Sequence, residues 1–256
     1  HKFSRKDYAH YGTVIIDEAD VMCTQLAVHE MVKMYPRYMV GMSATVTRQD
    51  GLHKVLDIFW GPRSKWIIRQ KSFSKTSSME IRILHTGFQV ESHRNRRGAL
   101  DWTAISTDVM NIWERNLMIR NLCLIHRNKK ILILCKRKDH VDILVDLLQQ
   151  VGEDVSSYHG ASRSYYDANV LVATISKAGR GYDDKQVSSA YDGRRFDMII
   201  LVMTMKDADQ AIGRGLRGSS LLLYVLVDDN PTMRNHADSM RRINAKRGAT
   251  ISEHHM

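Results

Sequence analysis

Apolar runs of strand length recur through the chain without polar alternation: Thr13–Ile16, Tyr38–Met42, Trp66–Ile68, Ile81–Leu84, Ile131–Cys135, Val170–Ala173, Met198–Met203 and Leu221–Val227. Runs of this kind suit strands covered on both faces. Helical patterns lie between several of them. Residues 139–150 place Val141, Leu144, Val145 and Leu148 at i, i+3, i+4 and i+7, with Gly152 as a stop, and residues 113–125 carry a similar stripe. Strands that alternate with helices predict an α/β fold with a mostly parallel sheet.

The 256 residues leave room for one large domain or two ordinary ones. The net charge of +10 suggests a polyanionic partner, usually nucleic acid; a solvated basic surface is the plainer alternative. Three cysteines, at 23, 123 and 135, form no C-x-x-C pair and read as reduced thiols of an intracellular protein. No apolar stretch is long enough to span a membrane, and no signal peptide is visible. The first residue is His1, a few positions before a buried-looking strand, as expected inside a longer reading frame. Residues 70–80 are polar and Ser-rich and read as a surface loop. Residues 87–107 have weak periodicity and the basic knot HRNRR, and read as a hinge.

The first apolar run ends in three acids, TVIIDEAD at 13–20. Ligands of open α/β sheets sit outside the carboxyl ends of the strands, which is where Asp17 and Glu18 fall. One acid there can hold Mg²⁺ and the other can deprotonate an attacking water, the division that phosphoanhydride hydrolysis needs. An acidic first turn of a helix would look the same. The second run ends in Ser43, Ala44 and Thr45, by itself an ordinary turn or cap. In DADQAIGRGLRG (207–218), Arg214 and Arg217 share a helix face with Gln210 one turn before, a clamp for phosphate or a solvated basic face. In VLVATISKAGRGYDDKQ (170–186), a strand runs into Thr174 and then Arg180, Gly181 and Asp183, where Asp183 can accept from a sugar hydroxyl. Turn residues of ordinary kind explain it equally. Each signal is modest alone; the four together, in this order, are specific.

In chain order, DEAD (17–20), SAT (43–45), ATISKAGRGYD (173–183) and QAIGRGLR (210–217) resemble motifs II, III, V and VI of superfamily 2 helicases. GMSATVTRQDGLHKVLDIFWGP (41–62) is similar to the branch of XPB-like and UvsW-like DNA helicases. Residues 86–102 and 131–148 resemble DEAD/SNF2-like helicases of large DNA viruses. The resemblance covers almost the whole chain. It implies two RecA-like parallel-sheet domains, the first incomplete at its N-terminus: residues 1–86 as the second half of domain one, 87–110 as hinge and 111–256 as domain two. It also implies ATP between the domains and nucleic acid across both, in the nucleus or a cytoplasmic viral factory for a viral protein and in the cytoplasm otherwise.

By the same resemblance Asp17 coordinates Mg²⁺, with Glu18 beside it as the water-activating base. Asp20, Ser43, Ala44 and Thr45 couple the nucleotide to the nucleic-acid side. Gln210, Arg214 and Arg217 face the nucleotide from the second domain. Arg180, Gly181 and Asp183 meet nucleotide or nucleic acid, Thr174 the strand backbone, and His159 and Gly160 of YHG its phosphates. The phosphate loop G-x-x-x-x-G-K-[ST] does not occur in the sequence. Without its N–H groups and lysine the chain alone is expected to bind ATP poorly.

The resulting expectation is a nucleic-acid-dependent ATPase acting on DNA, with RNA possible. A non-catalytic nucleic-acid-binding module is the competing reading. It has no need of Asp17, Glu18, Arg214 and Arg217 together. Against an RNA helicase of DEAD-box type stand the SATVTRQDGL context and Gln210, where that set usually begins with His. Basic clusters at 94–97, 127–138 and 234–247 suit either a phosphate track or a solvated face. Met31, Met34 and Met39 read as core filling, Trp60 and Trp102 as packing ahead of the alternative of stacking on bases, and His254 and His255 as tail.

Overall fold

The computed structural model of the chain describes residues 3–43, 51–67, 78–178, 183–205 and 220–256. Two compact units divide the chain, His1–Gln70 and Lys71–Met256. In the first, α1 (Arg5–Tyr8) leads into β1 (Thr13–Ile16), followed by α2 (Gln25–Met31), β2 (Tyr38–Gly41) and α3 (Leu56–Trp60). β1 and β2 pair in parallel, with Thr13 opposite Tyr38 and Ile16 opposite Gly41. Strand side chains alternate between faces. Val14, Ile16 and Met39 pack with Ala19, Met31, Phe59 and Trp60, whereas Ile15 and Val40 are exposed. Gly41 is required here: a Cβ on it would lie 2.7 Å from the Trp60 indole.

The second unit is built on a seven-stranded parallel sheet. Its strands are β3 (Ser78–Gln89), β4 (Ile131–Cys135), β5 (Val155–Tyr158), β7 (Val170–Thr174), β9 (Met198–Leu201), β10 (Ser220–Asp229) and β11 (Thr250–His255); β6 (Tyr165–Tyr166) and β8 (Ser188–Ser189) form a small separate pair. The spatial order is β11-β3-β10-β9-β4-β7-β5. α4 (Trp102–Asn111) and α9 (Pro231–Lys246) bury Ile105, Val109, Met233, Ala237 and Met240 in the core on one face. α5 (Trp113–Ile125) and α6 (Lys138–Gln149) bury Ile119, Cys123, Val141, Leu144 and Leu148 in the core on the other. Every residue of β4 and β7 is buried, which is why their sequences carry no alternation.

Several expected boundaries move. Ile81–Leu84, assigned above to the first domain, lies inside β3, which pairs with β10 and β11 of the second unit. The units therefore divide at Gln70/Lys71 rather than near residue 86. The stretch 87–110, expected as a hinge, holds the end of β3, a tight turn and most of α4. Its polar residues hid the helix: Ser106 and Thr107 return their hydroxyls to the Thr103 carbonyl, leaving Ile105 and Val109 to make the buried stripe. Trp66 and Ile67 are not in a strand; Trp66 follows a 3₁₀ turn and its Nε1 donates to the Gly61 carbonyl at 2.8 Å. His254 and His255 are no loose tail but belong to β11, where the His255 ring stacks on His85 at 4.5 Å.

His140 of α6 is buried, its Nε2 2.8 Å from Asn116 Oδ1. Burial, reinforced by the Arg115 cation, pushes its pKa down from 6.5 to about 3. The unfolded chain binds this proton near pH 6.5 and the folded chain does not until about pH 3. The contribution to stability is therefore full above pH 6.5 and is lost as pH falls toward 3, on the order of 5 kcal/mol in all. Urea unfolding between pH 7 and pH 4 is expected to show this slope, and His140→Gln to flatten it.

Candidate functional site

The end of β1 is locked before the acids begin. The Met42 amide donates to the Ile16 carbonyl and the Ala19 amide to the Met42 carbonyl, both at 2.8 Å. The chain has to reverse between these two anchors, and Glu18 supplies the reversal with φ 51° and ψ 46°. That left-handed conformation costs a residue with a side chain about 1 kcal/mol or more. Asp17 is exposed, and its Oδ1 accepts the Glu18 amide at 2.9 Å. Glu18 is half-buried, and its shielded Oε2 has no hydrogen-bond partner among the described residues. Asp20 is buried and its Oδ1 accepts from the Ser43 hydroxyl at 2.6 Å.

Three carboxylates in four positions thus have three environments. Asp17 faces water, Asp20 is engaged by the second run, and Glu18 keeps an oxygen without a donor among the described residues. Among the described residues no group of three or more His, Cys, Asp or Glu side chains could hold a metal ion. The hard oxygens of Asp17 and Glu18 still match Mg²⁺, which keeps waters and takes one or two carboxylates together with substrate phosphates.

In the second unit, β7 ends at the buried Thr174, whose hydroxyl accepts from Ser176 at 3.2 Å. β5, its neighbour, leads into His159, whose Nε2 lies 3.0 Å from Asp142 Oδ1, and into Gly160, whose φ of +57° favours glycine. Thr174, His159 and Gly160 therefore share the carboxyl edge of adjacent strands. Asp183 caps α8 (Asp184–Val187) by accepting the Lys185 amide at 3.3 Å. The Arg195 guanidinium lies 3.7 Å from Asp183 and 2.8 Å from Asp184. Ala44, Thr45, Arg180, Gly181, Gln210, Arg214 and Arg217 lie outside the described residues.

Two features escaped the sequence reading. Arg195 pairs with Asp183 from beyond the motif, and nothing in its local spacing announces this. Arg115 and Asp228, both fully buried, pair at 2.7 Å from the first turn of α5 and the end of β10. The only hint was a charge inside each of two apolar patterns. Trp102 packs as expected, against the core, with Lys136 Nζ 4.8 Å and the His236 ring 5.4 Å from its ring.

No family model matches the chain. It is 27% identical over 255 residues to protein 055L of Frog virus 3 (isolate Goorha), which carries a helicase name; the match covers 98% of this chain and 56% of that protein. It is 23% identical over 266 residues to L396 of Acanthamoeba polyphaga mimivirus, named as an ATP-dependent RNA helicase, covering 97% of this chain and 50% of L396. The chain thus spans little more than half the length of these relatives. The crystal structure of T4 UvsW superposes with a TM-score of 0.52 at 14% identity, covering 100% of this chain and 56% of UvsW. That likeness shows a shared fold. The chain is similar to helicase-named proteins of large DNA viruses and shares the RecA-like parallel-sheet α/β fold of UvsW.

Proposed function

We propose that the chain carries motor elements of an ATP-dependent nucleic-acid helicase or translocase, with DNA as its track. The observation that carries this reading is the turn after β1, which separates an exposed Asp17 from a strained Glu18 whose Oε2 is without a donor among the described residues. A strained residue holding an unused carboxylate oxygen suits a base that takes a proton from an attacking water. Asp17 would hold Mg²⁺, which supplies charge neutralisation on the β- and γ-phosphates. The Asp20–Ser43 hydrogen bond ties the acid turn to the end of β2 and gives it a route to sense what binds there. Gln210, Arg214 and Arg217 complete the reading as the groups that stabilise charge on the transferring phosphoryl. ATP is also supported by the name of L396; that name points to RNA, and the basic charge serves either polymer.

The test is ATP hydrolysis by the longest polypeptide that carries these residues, alone and with single-stranded DNA, duplex DNA and RNA. We expect turnover stimulated by nucleic acid and lowered about 100-fold or more by Glu18→Gln; the 256-residue chain alone, whose sequence has no phosphate-loop pattern, should turn over little. Nucleic-acid binding with no turnover in any form would replace the motor with a binding module. Glu18→Gly is expected to abolish turnover while stabilising the first unit by on the order of 1 kcal/mol, because glycine adopts this φ without strain. Slower hydrogen exchange at the Ala19 amide would register that gain.

A further inference from the structure

After β3 the chain passes through a compact turn that the motor reading does not use. Arg94 and Leu100 form an antiparallel bridge. Within it the Asn95 amide donates to the Ala99 carbonyl at 2.8 Å and the Gly98 amide to the Asn95 carbonyl at 2.9 Å. The Asn95 side-chain oxygen accepts the Arg97 and Ala99 amides at 2.9 and 3.2 Å. Gly98 has φ +75°, which a residue with a Cβ would adopt only under strain. The base is fastened by four hydrogen bonds. The Asn230 amide group donates to the Val90 carbonyl and to the Ser92 hydroxyl, both at 2.9 Å. His93 Nε2 lies 2.5 Å from Asp108 Oδ2 of α4, and the Asp101 amide donates to the His93 carbonyl at 2.8 Å.

The three arginines of this turn differ. Arg94 is used internally, donating to the Gly98 carbonyl at 2.6 Å. Arg96 and Arg97 are exposed, and among the described residues neither guanidinium makes a hydrogen bond or ion pair. A loop of merely solvated charge needs no such fastening. Two cations on a fixed tip give up less conformational entropy on meeting a ligand. The tip continues from the carboxyl end of β3, and its base rests on Asn230, the cap of α9 just past β10. It thus stands on the sheet edge where open α/β sheets bind ligands, the edge that also carries Thr174, His159 and Gly160.

We propose that the Arg94–Leu100 turn is a phosphate-contacting prong, with Arg96 and Arg97 gripping the backbone of a nucleic-acid strand. The proposal rests on a nucleic acid being the partner and adds a contact outside the helicase motifs. The guanidinium fork matches phosphate oxygens bidentately, and each phosphate neutralised releases counterions and steepens salt dependence. The prong reads no base sequence, since both of its free groups are suited to the backbone.

The test is fluorescence anisotropy of labelled single-stranded DNA, duplex DNA and RNA oligonucleotides, titrated with the full protein across a salt series. Arg96→Ala/Arg97→Ala is expected to weaken binding about tenfold or more at 0.1 M salt and to lower the log–log salt slope by about 1.4 to 1.8, from ~0.7 to ~0.9 per phosphate. Asn95→Ala/Gly98→Val, which keeps both arginines and loosens the tip, should lose several-fold. Arg63→Ala/Lys65→Ala, at exposed positions of the first unit outside the basic clusters, removes the same charge elsewhere and should change little. The Asp108 contact holds His93 above its ordinary pKa of 6.5; an unchanged His93 titration in the variants will show that the base of the turn is intact. The oligonucleotide with the largest loss names the prong's strand. Unchanged affinity and slope in the double-arginine variant, or an equal loss in the Arg63/Lys65 control, overturns the prong and leaves the helicase reading standing. If the unaltered protein binds none of the three, both fall.

Discussion

A guanidinium with no access to water must find its partners inside the protein, and in this chain that demand organises the second unit. Arg115 is fully buried in α5. Its Nε donates to Asp228 Oδ1 at the end of β10, and its Nη2 donates to the Val202 carbonyl just beyond β9. Thr86 of β3 donates to the same Asp228 oxygen at 2.6 Å. One cation thus fastens a helix to three neighbouring strands. Removing either partner of such a pair leaves a buried charge uncompensated, at a cost of about 3–5 kcal/mol. Burial, reinforced by that cation, keeps His140 neutral beside Asn116, so α5 and α6 are joined by uncharged hydrogen bonding next to a charged anchor. Around that anchor the apolar layers close on both faces of the sheet.

The first unit is organised differently. Its parallel pair of strands buries one face around Ile16, Ala19 and Met31 and leaves Ile15 and Val40 exposed on the other. Within this modest core the acid turn is nonetheless held hard, because the Ala19 and Met42 amides and the Asp20–Ser43 contact over-determine it. Local over-determination is the condition for keeping a residue such as Glu18 in a conformation it would not choose.

Ion pairs occur at both ends of the second unit's sheet. At the amino ends the buried Lys130 ammonium contacts Asp167 and Asp192, and Arg82 holds Glu80. At the carboxyl ends Arg137 pairs with Asp139 and Arg234 with Asp229, at 3.1 and 3.0 Å, and Lys136 rests on the Trp102 ring where burial lowers its pKa. Arg96 and Arg97 stand exposed and make no such pair among the described residues. Cations that the fold does not use are available to a polyanion.

The strand runs were legible because burial on both faces forces apolar residues at consecutive positions, and β4, β7 and β10 show it directly. α5 was legible at both ends and α6 to within a residue, because their stripes use strong hydrophobes. α9 was not: Met233, Ala237 and Met240 make a weak stripe amid basic residues, and Asn230 with Pro231 marks its start only once the helix is seen. β11 was hidden because an edge strand has little to bury. The order of DEAD, SAT and the arginine-bearing stretches was also in the sequence, since chemistry of this kind needs given residue types at given spacings. Three matters were left to the tertiary structure: that Glu18 is left-handed, that Arg115 finds Asp228 across 113 positions, and that two arginines of a basic knot stand on a braced tip while a third braces it. Each depends on contacts between residues distant in the chain or on backbone geometry, and local residue patterns encode neither.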